Sequence, residues 1–148
     1  MTTPTEVLRR VNRLIAETDA VYHKIALSYG ISDSILMILY VLCAHDGRCP
    51  VFTLRREVEL SKQTVHSALQ KMEKDGLITV SQTEDNRKTR EVCLTSAGRA
   101  FCEKTAGRLI EAENRIFSSF SDADLSAYFY VSEQFLKQLQ NEQKKEIL

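Results

Sequence analysis

The chain has 148 residues, 43% of them hydrophobic, and its twenty basic side chains balance twenty acidic ones. That length predicts one compact domain, with or without helical extensions, and a core of real size. No apolar run reaches the ~18 residues of a membrane span, and the start MTTPTEVLRR lacks the basic-then-apolar order of a signal peptide, so a cytoplasmic protein with no membrane partner is expected.

Five glycines, two prolines and no repeat suggest a mostly helical protein. In a reducing cytoplasm Cys43, Cys49, Cys93 and Cys102, which show no CxxC spacing, read as free and mostly buried thiols. Charge is unevenly placed. Residues 48–104 carry eleven basic and eight acidic side chains, whereas the rest of the chain carries nine and twelve. This mild asymmetry does not by itself establish nucleic-acid binding.

From Thr5 to Tyr29, apolar residues including Val7, Leu8, Val11, Leu14, Ile15, Val21 and Tyr22 recur every three to four positions, the stripe of one long helix. At 1.5 Å per residue it would be ~37 Å long, more than one small core covers. Gly30 ends it, and Ser32 caps a second helix whose run from Ile35 to Leu42 is apolar on every side and so buried. Asp46 and Gly47 close that helix. Thr53 is expected to cap a short helix, LRREVEL, and Ser61 to cap another from Lys62 to Asp75, ended by Gly76.

In this last helix Val65, Leu69 and Met72 share one face, while Gln63, His66, Ser67, Gln70 and Lys74 point the other way at 100° per residue. A solvated face would more usually carry Glu and Lys pairs. The first half of this face instead offers groups that both donate and accept hydrogen bonds, which suits base edges in a major groove, and Lys62 adds a phosphate contact. His66, one turn into the helix, is placed where helix-turn-helix proteins read bases. Two alternating segments follow, LITVS and EVCLT, separated by the polar QTEDNRKTR. Helix, turn, helix and hairpin make a winged helix, with Arg87 and Lys88 at the wing tip, where a basic side chain follows the phosphate backbone or enters the minor groove.

Thr95 then starts a long helix to about Ser118, and Ser121 caps a final one carrying Leu125, Phe129, Phe135, Leu136 and Leu139. The expected architecture is mainly α with a small β-hairpin wing, a winged helix-turn-helix over 31–95 flanked by dimerisation helices over 1–30 and 96–148. Such long apolar stripes are best used in a dimer interface built from both chain ends.

The segment Leu60 to Gly98 resembles the signature of the MarR family of bacterial winged-helix transcriptional regulators. The matching residues are Leu60 and Ser61, Met72 and Glu73, Gly76, Leu77 and Ile78, then Asp85, Arg87 and Lys88, then Leu94, Thr95 and Gly98. Asn86 replaces the second wing acid, and Lys88 replaces an arginine, keeping the charge but losing a bidentate fork. The resemblance implies a homodimer on a pseudo-palindromic, double-stranded operator, with Lys62, Gln63, Thr64, His66, Ser67 and Gln70 in the major groove and Arg87, Lys88 and Arg90 in the wing. It also implies a repressor whose operator binding responds to a small aromatic effector in a pocket near Tyr22, His23, Met37 and Tyr40. No cofactor is implied.

Some relatives of that kind sense peroxide through a cysteine early in the first helix, where this chain has none. Cys43 and Cys49 are the alternatives, Arg48 being placed to assist Cys49. Cys43, His45, Asp46 and Cys49 include common zinc ligands, but their spacing matches no standard site and no metal is expected. No phosphate loop, nucleophile elbow or HExxH occurs, so no enzyme is expected. A redox-sensing regulator and a winged-helix protein-interaction module remain the competing readings. The second should show aromatic anchors on the reading face, which instead carries Gln, Thr, His and Ser.

Overall fold

The computed structural model describes residues 1–145 except Glu84 and Asp85, and the side chains of 83–88 are also outside the description. Its elements in chain order are α1 (Pro4–Ser28), α2 (Asp33–Ala44), β1 (Arg48–Pro50), α3 (Val51–Val58), α4 (Lys62–Lys74), β2 (Ile78–Thr83), β3 (Asn86–Leu94), α5 (Ser96–Lys104), α6 (Ala106–Ser118) and α7 (Asp122–Lys144). The chain divides into two compact units, Met1–Ile110 and Glu111–Leu148. No single helix among the described residues is long and apolar enough to cross a membrane.

In the first unit, α1 starts from a reciprocal cap. The Thr3 hydroxyl accepts from the Glu6 amide, and the Glu6 carboxylate accepts from the Thr3 amide at 2.7 Å. That bond and the Thr3 hydroxyl hold the Glu6 carboxyl below its ordinary pKa. The α1 stripe is largely uncovered in one chain, with Leu8, Val11, Leu14 and Ile15 each about half exposed. Ser32 caps α2 as expected, its hydroxyl accepting from the Ile35 amide. The core forms around α2. Ile38, Leu39 and Leu42 lie fully buried with Leu54 and Val58 of α3, Val65 and Met72 of α4, Ile78 of β2 and Val92 of β3. Each such aliphatic side chain contributes roughly 1.5–3 kcal/mol of transfer free energy.

Four local expectations are corrected. The sheet has three strands in the order β1-β3-β2, all antiparallel, because Arg48–Pro50 pairs with β3 and brings Cys49 opposite Val92. Helix α3 begins at Val51 rather than after Thr53. The strand β1 runs straight into it, and Pro50, at φ −58°, takes the cap position with no side-chain hydrogen bond. The wing strands are longer than the apolar pattern implied, since β3 begins at Asn86, so that the backbone of Arg87 and Lys88 lies in a strand rather than in a long loop. Lastly, the helix expected from Thr95 to Ser118 is interrupted at Thr105, where φ −120° and ψ −94° leave the helical region. The Thr105 hydroxyl donates to the Phe101 carbonyl at 2.8 Å, and the chain restarts as α6.

A fifth correction concerns sulfur. Cys43 and Cys102 are not free thiols but a disulfide joining α2 to α5 across 59 positions of sequence, while Cys49 and Cys93 are free.

In the second unit, α7 is capped by Ser121, whose hydroxyl accepts from the Asp124 amide, with Asp122 and Asp124 in the favourable first turn. Phe129, Phe135, Leu136 and Leu139 share a face and are exposed, as are Tyr130 and Val131.

Candidate nucleic-acid interface

Helix α4 is set by its buried side. Val65, Ala68, Leu69 and Met72 turn inward, which leaves Gln63, Ser67, Gln70 and Lys74 in a stripe pointing away from the core, with His66 on one flank. Lys62, Gln63, His66, Ser67 and Gln70 are exposed, and none of them has an ion-pair partner among the described residues. The stripe thus keeps its donors and acceptors for something outside the molecule. Thr64 differs. It is half-buried, and its hydroxyl shares a 2.7 Å hydrogen bond with that of the capping Ser61, which accepts from the Thr64 amide. Its first role is to start the helix.

At the other end of α4 the LT..G motif fastens the wing. The Thr95 amide donates to the Leu77 carbonyl at 3.0 Å, and its hydroxyl donates to the Gly76 carbonyl at 2.6 Å while accepting from the Gly98 amide. Gly98 is buried so closely against this turn that a Cβ there would sit 1.8 Å from the Leu77 carbonyl oxygen. Gly76 itself has φ +75°, the left-handed value that lets α4 end at Lys74 and β2 begin at Ile78. These contacts tie the root of the hairpin to the end of α4.

Of the wing residues, Arg90 is exposed and lies opposite Gln82 in the ladder. The side chains of Arg87 and Lys88 lie outside the described residues. Sequence reasoning did not single out Phe52 and Arg56 of α3. Phe52 is 73% exposed, and the Arg56 guanidinium lies 5.9 Å from its ring centre. An aromatic in a sequence with no α3 register to place it gave no signal.

A groove of about 480 Å³ runs between the start of α2 and α4, lined by Ile31, Ser34, Ile35, Gln63, Ser67 and Lys71 among others. The residues expected around an effector are elsewhere. His23 of α1 binds Asp33 at the start of α2, 2.9 Å from Nδ1, while Tyr22, Met37 and Tyr40 are each partly exposed.

The cysteine alternatives separate clearly. Cys49 is fully buried, and burial first, then the carboxylates Glu57 and Glu91, pushes its thiol pKa up. Arg48 does not offset this, since its guanidinium pairs with Glu91 at 3.4 Å. Cys49 is therefore held as a neutral thiol. The residues weighed as zinc ligands are otherwise engaged: Cys43 is in the disulfide and His45 binds Glu57 at 2.9 Å. Among the described residues no three His, Cys, Asp or Glu side chains gather to hold a metal.

An outward polar stripe on the second helix of a helix-turn-helix, followed by a three-stranded wing, defines a winged-helix protein. Residues 29–88 match the sequence model of the MarR family. That segment is less than half of the chain. The chain shares its fold with solved structures over nearly its whole length. It is similar to AbsC, a MarR family transcriptional regulator from Streptomyces coelicolor, at 19% identity and TM-score 0.73, covering 95% of this chain and 98% of that one. It is also similar to NMB1585, a MarR family regulator from Neisseria meningitidis, at 21% identity and TM-score 0.75, covering 94% and 97%. A third is a mutant MarR from E. coli, complexed with operator DNA, at 13% identity and TM-score 0.64, covering 91% and 99%. A search of curated proteins gives no match.

Proposed function

We propose that this chain is a homodimeric, sequence-specific DNA-binding transcription regulator, that it represses by occupying its operator, and that a small aromatic ligand modulates that binding. The observation that carries the DNA reading is the α4 stripe, in which Gln63, His66, Ser67 and Gln70 are exposed, without ion-pair partners among the described residues, on a helix whose other face is core. Gln pairs bidentately with adenine, and short hydroxyls adapt to several base edges. Lys62 and the wing residues Arg87, Lys88 and Arg90 supply the phosphate contacts that position the helix.

The homodimer is supported by the apolar stripes of α1 and α7, each left open in the single chain. A second copy covers both, and two reading heads then address half-sites about one helical turn apart. Tyr22, His23, Met37 and Tyr40 are the side chains assigned to the effector. On this reading 31–95 is the reading domain and 1–30 with 96–148 the dimerisation region. Selection of bound duplexes from a random library tests the whole reading. A pseudo-palindrome recovered by the protein, and lost when Gln63 and Ser67 are both alanine, supports it. Recovery of no common sequence refutes it.

One feature favours a second reading, a protein-interaction module: Phe52 of α3 is an exposed aromatic. Its Arg56 partner gives it the form of an anchor, but the α4 stripe carries no aromatic, and the DNA reading accounts for more of the surface.

A further inference from the structure

The outward stripe of α4 is defined by what it lacks. Helix α4 contains no arginine, and of its lysines Lys62 is the first residue, Lys74 is the last, and Lys71 is tied to Asp75 at 3.2 Å. Between the two ends the stripe consists of Gln63, Ser67 and Gln70, about one turn apart on the face opposite Val65, Leu69 and Met72. This stretch is neutral. Arginine or lysine supplies the commonest bidentate contact to guanine, and neither stands in this part of the stripe.

The polar atoms of these three side chains are also uncommitted. Hydroxyls inside helices can turn back onto the carbonyl one turn earlier, as those of Thr18 and Thr105 do onto Leu14 and Phe101. The Thr64 hydroxyl is held by that of Ser61. By contrast, the Ser67 hydroxyl and the Gln63 and Gln70 amides are exposed and have no hydrogen-bond partner among the described residues. A primary amide carries a donor and an acceptor side by side. Adenine presents the matching pair in the major groove, N6–H as donor and N7 as acceptor, whereas guanine presents two acceptors, N7 and O6, and leaves the amide oxygen facing one of them.

Resting on the DNA reading above, we propose that Gln63 and Gln70 each specify an adenine·thymine pair, so that every half-site carries two such pairs roughly two to three base-pair steps apart. The spacing follows from the helix. From Gln63 to Gln70 the axis rises roughly 10 Å at about 1.5 Å per residue, and successive bases are about 3.4 Å apart, so a helix lying along the groove spans about three steps. In a helix that enters the groove at an angle, residues about one turn apart meet successive bases, which gives about two. The Gln63 Oε1 accepts from adenine N6–H while its Nε2 donates to N7, and Gln70 repeats the pattern at the second pair. Ser67 stands between them, where a hydroxyl that both donates and accepts tolerates any base pair. Lys62 and Lys74, at the ends of α4, meet phosphates and carry no sequence preference.

The test uses the full-length protein and the operator recovered by selection, with fluorescence anisotropy against duplexes in which each half-site pair is changed in turn. The recovered half-sites should hold two A·T pairs at that spacing, and changing either to G·C should weaken binding by the parent about fivefold or more. Gln63→Ala should lose this discrimination at one of the two positions and Gln70→Ala at the other. Both variants should keep the parent's salt dependence, because no phosphate contact is removed. Gln70→Arg should move the preference at its own position from A·T to G·C. Half-sites without two A·T pairs so spaced, or alanine variants that discriminate as the parent does, would overturn the proposal while the regulator reading stands. If no duplex is bound more tightly than a scrambled one, the regulator reading fails and the proposal falls with it.

Discussion

Gly98→Ala sets two known effects against each other. By helix propensity alone, alanine in place of glycine in α5 stabilises the chain by up to ~1 kcal/mol. The structure gives the opposite sign. The added Cβ would stand 1.8 Å from the Leu77 carbonyl oxygen and 2.8 Å from its carbon, and both belong to backbone rather than to a flexible side chain. To restore ordinary contact, α5 and the Leu77 turn must separate by more than an ångström. That movement breaks the Thr95 amide bond to Leu77, and the Thr95 hydroxyl bond to Gly76 is strained with it. Overpacking costs about 1–3 kcal/mol, and a lost hydrogen bond about 1 kcal/mol. After the propensity gain is subtracted, a net loss of about 1–3 kcal/mol is expected. Urea denaturation followed by circular dichroism, at one fixed protein concentration because the stability of the proposed dimer depends on it, reads this directly. A variant as stable as the parent or more stable would refute the packing argument, and with it the account of why the LT..G motif ends in glycine.

Arg87→Ala should weaken operator binding by ~1–3 kcal/mol with the dimer intact; an unchanged affinity, read by fluorescence anisotropy, removes the wing from the mechanism. Deletion of the residues after Asp122 should give a monomer or an insoluble chain in sedimentation, whereas a well-behaved dimer would place the interface elsewhere. Because folding raises the Cys49 pKa above its ordinary 9.0, the neutral thiol is favoured in the native state. Its contribution to stability is complete below that pH and is lost as pH climbs above it, so Cys49→Ala should flatten the alkaline fall in unfolding free energy. In the reduced native protein, Cys49 should also be the slowest thiol to alkylate, by mass spectrometry of the peptides, and rapid labelling would contradict its burial.

The helices most legible in the sequence were those with a hydroxyl cap and a sustained period. Ser32, Ser61 and Ser121 each accept the hydrogen bond their positions predicted. The polar stripe of α4 was legible for the same reason, since a core on one side fixes what faces out. The strand β1 was not, because three residues ending in proline carry no alternation. The break at Thr105 was hidden because Leu109 and Ile116 continue the helical spacing on the far side of it. The outer half of the wing has no apolar face, so its strands looked like a loop. The Cys43–Cys102 pairing depends on bringing α5 across α2, a tertiary fact with no local trace in either segment.

The most direct test of the regulator reading is fluorescence anisotropy of the purified, reduced protein with the DNA upstream of its own gene, beside a scrambled duplex and at two salt concentrations. Tighter binding to the upstream DNA, weakening steeply with salt as phosphate contacts are screened, is the expected result. Equal, weak binding to that duplex, to its scrambled control and to the sequences recovered by selection would contradict the account and leave the exposed faces of α3 and α4 to a protein partner.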